Sequence, residues 1–328
     1  FKCCVTGIPY GGGKGGIIVD PSTLSKGELE RLSRGYIQGL YKYLGEKIDI
    51  PAPDVNTNGQ IMAWMVDEYC KLTGSMNTGV ITGKPVEWGG SLGRNEATGF
   101  GVAVVTREAA KKLGIDIKHA TVAIQGFGNV GSFTVKNVQK LGAKIVALGE
   151  WAREVGTYAI YNPDGLDYED MAAWVKENKN LVNYPKAKMI SLDEFWALEV
   201  DILIPAALEN AITVENAGKI RAKLVAEAAN GPITPEADEI LEKNGILVTP
   251  DILTNAGGVT VSYFEWVQNL YGYYWSEKEV EEKEEIAMVN AFNDLWKIKE
   301  EYNVTMRKSA YMHSVKKVAT AMKLRGWY

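Results

Sequence analysis

A glycine-rich turn between a predicted strand and a predicted helix is the feature that most constrains the fold of this chain. The β-branched run at 120–125 leads directly into Gly126-Phe127-Gly128-Asn129-Val130-Gly131, after which the apolar spacing becomes helical. In such a turn the first glycine permits a tight bend, the second lets a pyrophosphate approach the backbone, and the third lets helix and strand pack closely. The helix N-terminus then faces the phosphate charge. The pattern predicts a Rossmann-type dinucleotide-binding domain, with Phe127, Asn129 and Val130 inside its fingerprint.

An acidic residue at the end of the next predicted strand strengthens this interpretation. The strand begins at Lys144 and ends at Glu150, about 20 residues after the last glycine, where a carboxylate can accept hydrogen bonds from the adenosine ribose. Such a carboxylate favours NAD over NADP because it would repel a 2′-phosphate. Arg153, in the following loop, could instead pair with that phosphate. The alternative is a glycine turn that only tightens a strand-to-helix junction.

The rest of the chain predicts an α/β protein with a second, smaller α/β unit. Short apolar strands at 201–205, 224–227 and 246–249 alternate with helical patterns, which indicates a mostly parallel sheet. Near the N-terminus, Ile17-Ile18-Val19 reads as a buried strand, and helical patterns follow at 25–43 and 60–71. We predict a substrate and assembly domain over 1–95, a dinucleotide-binding domain over 96–290, and C-terminal helices over 291–328 that return to the first domain.

Composition excludes several classes of partner. The 328 residues are 46% hydrophobic and 23% charged, with a net charge of −5, which is typical of a globular protein and gives no attraction to nucleic acid or anionic lipid. No apolar run approaches the ~20 residues of a membrane span. Three cysteines without a Cys-x-x-Cys pair predict neither a disulfide framework nor a metal site and favour a cytoplasmic location. The sequence begins without Met, so we expect the natural chain to start upstream.

Two loops carry candidate chemistry. Lys14 lies in Gly11-Gly-Gly-Lys-Gly-Gly16, which lacks the first Gly and the Ser or Thr of a phosphate-binding P-loop. The absent side chains leave room for a small molecule against its ammonium, although a solvated loop lysine is the alternative. Asp54 follows Pro51-Ala-Pro53, whose fixed φ angles would hold the carboxylate in one place, although such an aspartate is often a turn or helix cap.

The two histidines narrow the choice of proton-transfer groups. His119 precedes the first Rossmann strand, and His313 lies in the C-terminal helical pattern; we expect both to be structural. Proton transfer in this chain would then depend on Lys, Asp, Glu or Tyr.

Together these segments resemble the glutamate/leucine/phenylalanine/valine dehydrogenases over essentially the entire chain. The resemblance is greatest to the hexameric, NAD-linked glutamate-specific members from anaerobic bacteria. The segments that carry it are Lys2, 9–16, 50–57, 89–99, 126–131, 228–232 and 255–262.

The resemblance implies a role for each matching residue near the reacting amino acid. Lys2 holds the substrate α-carboxylate, Lys14 activates the attacking water, and Asp54 shuttles a proton to and from the amino group. A hydroxyl at Ser262 helps to bind a side-chain carboxylate, where branched-chain enzymes place an apolar residue. Glutamate is therefore favoured. The family's second partner for that carboxylate is a lysine in a segment that precedes Lys2.

The resemblance also implies the cofactor, the partners and the reaction. Thr98, Asn230 and Asn255 match positions near the nicotinamide. The implied reaction is NAD-dependent conversion of L-glutamate to 2-oxoglutarate and ammonia, and its reverse, in a homohexamer. The alternatives are a branched-chain or aromatic amino acid dehydrogenase and a catalytically silent nucleotide-binding subunit.

Overall fold

Two compact units make up the described residues, 1–327, of this computed structural model. The sheet unit comprises Phe1–Pro9, Glu96–Gly257 and the chain from Glu285 onward, and the helical unit comprises Tyr10–Asn95 and Gly258–Glu284. This grouping differs from the predicted ranges, because the C-terminal helices cluster with the sheet and 258–284 clusters with the first section. The predicted division into functional domains stays a prediction.

The elements alternate along the chain as the sequence pattern indicates. The helices, in chain order, are α1 (Lys2–Thr6), α2 (Lys26–Leu40), α3 (Gly59–Thr73), α4 (Ala97–Lys112), α5 (Asn129–Lys140), α6 (Tyr168–Asn178), α7 (Leu192–Trp196), α8 (Val214–Ala217), α9 (Pro235–Lys243), α10 (Asp251–Thr254), α11 (Gly257–Tyr271), α12 (Glu277–Tyr302) and α13 (Met306–Leu324). The strands are β1 (Thr121–Gln125), β2 (Lys144–Ala152), β3 (Gly156–Tyr161), β4 (Lys188–Ile190), β5 (Ile202–Pro205), β6 (Leu224–Ala226) and β7 (Leu247–Thr249).

The sheet unit is built on one seven-stranded sheet in the order β4-β3-β2-β1-β5-β6-β7. The pairs between β2, β1, β5, β6 and β7 are parallel, and β3 and β4 add an antiparallel edge. The middle of β1 and all of β5 and β6 are buried. Strands covered on both faces need apolar residues at every position, which is why the sequence shows continuous apolar runs there. The predicted mixed α/β, Rossmann-type fold is confirmed.

The glycine turn after β1 brings two backbone segments into direct contact. Gly126 has a φ of +103°, a conformation that residues other than glycine rarely adopt. A Cβ on Gly131 would lie 2.0 Å from the carbonyl oxygen of Gly126, so the first turn of α5 can pack against the end of β1 only with glycine at both positions.

The helical unit has its own core between α2 and α3. The predicted helix start at Ser25 is confirmed, because Ser25 and Glu28 form a reciprocal capping box. Asn58 caps α3 by accepting from the backbone N–H of Ile61. The largest buried side chains of this core are Ile37, Leu44, Ile61, Met62, Met65, Val66, Tyr69, Val80 and Ile81.

The strand predicted at Ile17-Ile18-Val19 is wrong. The three residues form no strand, and Ile18 is fully exposed. A strand requires a neighbouring edge to pair with, and every strand among residues 1–327 belongs to the sheet unit. An apolar run alone therefore did not distinguish a buried strand from an exposed segment.

A buried ion pair holds residues 83–84 against α11. Lys84 Nζ lies 2.7 Å from Oε1 of Glu265 on α11, and both side chains are completely buried. The carboxylate also accepts from the backbone N–H groups of Gly83 (2.9 Å) and Lys84 (3.3 Å). One residue earlier, Thr82 N–H donates to the carbonyl of Pro51 at 3.0 Å. The Glu265 carboxylate thus connects α11 to the proline loop that ends at Asp54.

The C-terminal helical pattern forms two helices, α12 and α13. α12 ends at Tyr302, and the next residue, Asn303, has a φ of 50°, which breaks the helix before α13. No helix among residues 1–327 combines the length and the hydrophobicity needed to cross a bilayer.

Substituting the third glycine of the turn tests the close contact at the start of α5. We expect Gly131→Ala to lower the free energy of unfolding by about 1–3 kcal/mol, the usual effect of forcing a methyl group into a filled space. Urea unfolding measures the change. Gly128→Ala is the control, because a Cβ there meets no atom within 4 Å; equal stabilities for the two variants would contradict the predicted contact.

Removing one partner of the buried ion pair tests its contribution to the helical unit. We expect Glu265→Gln to destabilise the protein by about 3–5 kcal/mol, because it leaves the Lys84 ammonium buried without a counter-charge. The double variant Lys84→Met/Glu265→Gln should recover much of this loss, because it removes the unpaired ammonium and keeps an acceptor for the two backbone N–H groups. Glu282→Gln, which breaks an exposed pair with Lys278, should change stability by less than about 1 kcal/mol in the same urea titration.

Candidate active site

The predicted site residues are distributed over both units. Lys14, Asp54 and Ser262 belong to the helical unit, whereas Lys2, Thr98, the fingerprint Gly126–Gly131, Glu150, Asn230 and Asn255 belong to the sheet unit.

The fingerprint loop leaves open space at its second glycine. A Cβ on Gly128 would meet nothing within 4 Å, in contrast to the crowded position of Gly131. α5 begins at the next residue, Asn129, so the unbonded N–H groups and the positive end of the helix dipole lie at the same turn. The strand, turn and helix predicted from the sequence are all present, and an anionic group can approach this backbone.

Glu150 interacts directly with the fingerprint loop. Its Oε1 accepts from the backbone N–H of Phe127, and its Oε2 accepts from Trp151 N–H at 3.2 Å. Burial raises the pKa of this carboxyl group, while the two backbone donors act in the opposite direction. The predicted strand end was wrong, because β2 continues to Ala152 and pairs with β3. Arg153 follows in the turn and is exposed.

Asn230, Asn255 and Lys2 form one hydrogen-bonded cluster. The Oδ1 of Asn230 accepts from Lys2 Nζ at 2.7 Å and from Asn255 Nδ2 at 2.9 Å. The Oδ1 of Asn255 is buried and has no hydrogen-bond partner among the described residues. A buried acceptor of this kind is costly unless a ligand or water supplies a donor. Lys2, which is predicted to bind the substrate, and Asn255, which is predicted to bind the cofactor, thus donate to the same oxygen, the Oδ1 of Asn230.

Thr98 is half-buried in the first turn of α4. Its helix packs against α5 and against α10, the helix that ends just before Asn255. At the neighbouring position, a Cβ on Gly99 would lie 2.6 Å from the backbone of Phe133. α4 is therefore held against the helix that begins at the fingerprint.

Lys14 and Asp54 are in contact in the helical unit. Lys14 Nζ lies 2.5 Å from Asp54 Oδ2, and the side chains are 85% and 55% exposed. The Asp54 backbone N–H donates to Thr57 Oγ1 at 2.6 Å, and the Thr57 hydroxyl donates back to the Asp54 carbonyl at 2.7 Å. The local turn fixes the loop, and both groups of the pair remain accessible to a ligand.

Ser262 is paired with a basic residue that the sequence interpretation did not select. Ser262 is 5% exposed on α11, and its Oγ accepts from Arg94 Nε at 2.9 Å. Because the oxygen accepts, the hydroxyl proton can be donated elsewhere. Burial lowers the pKa of Arg94, with Glu265 and Glu284 acting in the opposite direction.

Sequence analysis missed three charged residues that contact a predicted site residue or a segment near one: Arg94, Glu265 and Arg307. Arg94 lies within the glycine-rich segment 89–99 that carries the family resemblance, which could have identified it. Glu265 could have been selected only as a charged residue within the apolar pattern of α11. Arg307 gives no local signal, because its partner Glu227 is 80 residues away.

Comparison with known proteins agrees with the expected family along the whole chain. The sequence pattern of the Glutamate/Leucine/Phenylalanine/Valine dehydrogenase family matches residues 89–326, and that of the family's dimerisation domain matches residues 1–71. The chain is 74% identical to an NAD-specific glutamate dehydrogenase of Clostridioides difficile and 61% identical to one of Peptoniphilus asaccharolyticus. Both matches cover 100% of this chain and 78% of the relative.

Solved structures give the same result. A glutamate dehydrogenase from Peptoniphilus asaccharolyticus has a TM-score of 0.88 at 58% identity, covering 100% of this chain and 78% of that one. A hetero-hexameric glutamate dehydrogenase from Thermus thermophilus has a TM-score of 0.93 at 36% identity, covering 100% and 76%. The predicted family is confirmed, and the chain belongs to the Glu/Leu/Phe/Val dehydrogenases.

Proposed function

We propose that this chain catalyses the NAD-dependent oxidative deamination of L-glutamate and its reverse, reductive amination. The observation that carries the proposal is the contact between the Lys14 ammonium and the Asp54 carboxylate on two accessible loops. It is supported by the NAD-specific glutamate dehydrogenases to which the chain is 74% and 61% identical.

The reaction balances without a further reactant. L-Glutamate, water and NAD give 2-oxoglutarate, ammonium, NADH and a proton. When bound, NAD would serve as the acceptor of the hydride from the substrate Cα. Deprotonation of the substrate amine, addition of water to the imine carbon and departure of ammonia are left to side chains of this chain.

Lys14 and Asp54 are suited to those proton transfers. An ammonium beside the imine carbon can orient a water molecule and stabilise the negative charge that develops as it adds. A carboxylate within 2.5 Å of that ammonium can take a proton from the amine and return it to the departing ammonia. This contact and these charges support the roles that the family resemblance implies, water activation by Lys14 and proton shuttling by Asp54.

The sheet unit has the features needed to hold the dinucleotide. The open backbone at Gly128 and the start of α5 at Asn129 suit a pyrophosphate. Glu150 would accept from the adenosine ribose, and the unpartnered Oδ1 of Asn255 is an acceptor for the carboxamide of the nicotinamide. Thr98 and Asn230 are assigned to the same end of the cofactor by family resemblance.

Two residues are proposed to recognise the amino acid. Lys2 would bind the α-carboxylate, and the Ser262 hydroxyl, which accepts from Arg94, would donate its proton to the side-chain carboxylate of glutamate. An apolar residue at position 262 would suit a branched-chain substrate instead, so Ser262 disfavours that alternative.

A homohexameric assembly and a cytoplasmic location complete the proposal. The match of residues 1–71 to the family's dimerisation domain supports self-association, and the structural relative from Thermus thermophilus is itself a hetero-hexamer. The three cysteines are free, which is consistent with a reducing compartment.

Two substitutions test the assigned catalytic pair. We expect Lys14→Ala and Asp54→Asn each to lower kcat for glutamate oxidation by about 10²–10⁴-fold, the usual effect of losing a positioned acid or base, with an unchanged Kd for NADH. Lys47→Ala and Asp49→Asn, on exposed positions of the same unit, are the matched controls. Near-normal turnover in either site variant would remove that residue from the mechanism.

Cofactor choice is tested by removing one charge. Glu150→Gln keeps an acceptor for Phe127 N–H but removes the repulsion toward a 2′-phosphate, about 4 kcal/mol for two unit charges ~4 Å apart near a protein surface. We expect the ratio of kcat/KM for NAD to that for NADP to fall by about tenfold or more, equivalent to at least ~1.4 kcal/mol. Arg153→Ser should move the ratio much less, and an unchanged ratio in Glu150→Gln would exclude Glu150 as the discriminating residue.

A further inference from the structure

An arginine of the C-terminal helix binds a completely buried carboxylate at the end of the sheet. Arg307, near the start of α13, donates from Nη2 to Glu227 Oε1 at 2.7 Å and from Nη1 to Glu227 Oε2 at 3.0 Å. Its Nε also donates to Asp238 Oδ2 on α9 at 2.7 Å. Glu227 has no exposed surface, so this two-pronged pairing compensates the charge that the fold has removed from water.

The same carboxylate joins the loops that follow two neighbouring strands. Glu227 directly follows β6, and its Oε2 accepts from the backbone N–H of Asp251, just after β7, at 2.7 Å. Asp251 Oδ2 in turn accepts from the backbone N–H of Gly231 at 2.9 Å. Arg307 Nη1 lies 4.0 Å from Asp251 Oδ1. The two loops are therefore connected to each other and to α13 by a continuous set of ion pairs and hydrogen bonds to carboxylates.

These loops carry the two asparagines assigned to the nicotinamide. Asn230 immediately precedes Gly231, whose N–H is bound by Asp251, and Asn255 immediately follows α10, which Asp251 begins. The two amides bond each other at 2.9 Å. A shift of either loop would move its asparagine relative to the other.

We propose that Arg307 is a positioning residue that, through Glu227 and Asp251, holds Asn230 and Asn255 in place for the nicotinamide end of the cofactor. The inference rests on the proposed function only in assigning the two asparagines to that end. Burial raises the pKa of Glu227 to about 7, and Arg307 acts against that rise. Loss of the guanidinium removes the largest contribution that opposes burial and leaves only the Asp251 N–H acting in the same direction, so the pKa of Glu227 would rise further.

The test separates the two ends of the cofactor. ADP-ribose contains the adenosine and pyrophosphate groups but no nicotinamide, so its binding reports the fingerprint alone. We expect Arg307→Gln to weaken NADH binding by about three- to tenfold, the effect of one or two hydrogen bonds, while the Kd for ADP-ribose stays within about twofold of wild type. The kcat for glutamate should fall by about 10–100-fold, as for a misplaced reacting group.

Two further variants control for charge and for general destabilisation. Arg307→Lys keeps the charge but cannot contact Glu227 with two prongs and Asp238 together, so its losses should be intermediate. Arg107→Gln is the matched control, because Arg107 is 19% exposed, against 22% for Arg307, and also pairs with two carboxylates of the sheet unit. It should leave the ratio of the two Kd values unchanged.

The outcomes distinguish the inference from the proposed function. Parallel losses of NADH and ADP-ribose affinity, or an NADH affinity equal to that of Arg107→Gln, would overturn the positioning role. If Arg307→Gln does not fold, Asp251→Asn provides the same comparison. We expect it to weaken NADH binding selectively, but less than Arg307→Gln would. An unchanged ratio of the Kd for NADH to the Kd for ADP-ribose would overturn the inference. Wild-type protein that binds NADH but does not oxidise glutamate would reject the proposed function and leave the binding test valid.

Discussion

Removing a carboxylate from water is costly unless donors surround it, and this constraint organises both units. In the helical unit, the charge of Glu265 is matched by Lys84 and by two backbone N–H groups. In the sheet unit, Glu227 is matched by Arg307 and by the N–H of Asp251. Each carboxylate must draw its donors from separate parts of the chain, so satisfying it fixes several loops at once.

The loops fixed in this way are those that carry the predicted chemistry. Glu265 lies one helical turn after Ser262 and binds the segment whose backbone also contacts the Asp54 loop. Glu227 and Asp251 hold the backbone on which Asn230 and Asn255 are mounted. In contrast, Lys14 and Asp54 are accessible and bound to each other. The buried carboxylates therefore support the backbone of these loops, whereas the proposed proton-transfer pair remains accessible.

Local sequence signals predicted much of the fold because their hydrogen bonds close within a few residues. The capping box of Ser25 and Glu28 and the glycine turn at 126–131 are complete within one short segment, and both are present. The strand predicted at 17–19 failed because pairing depends on a neighbouring edge, which no local pattern reports. The extension of β2 beyond Glu150 was missed for a related reason, since β3 returns to pair with it.

The sequence by itself determined the dinucleotide-type turn, because that turn depends on residue types at a fixed short spacing, and a resemblance along the whole chain identified the family and most candidate residues. Only the tertiary structure decided which groups meet. Ser262 receives its hydrogen bond from a residue 168 positions away, and Lys2 reaches Asn230 across 228 positions. Chain topology selects such partners, and no local pattern reports them, because neither contact repeats with the period of a helix or a strand.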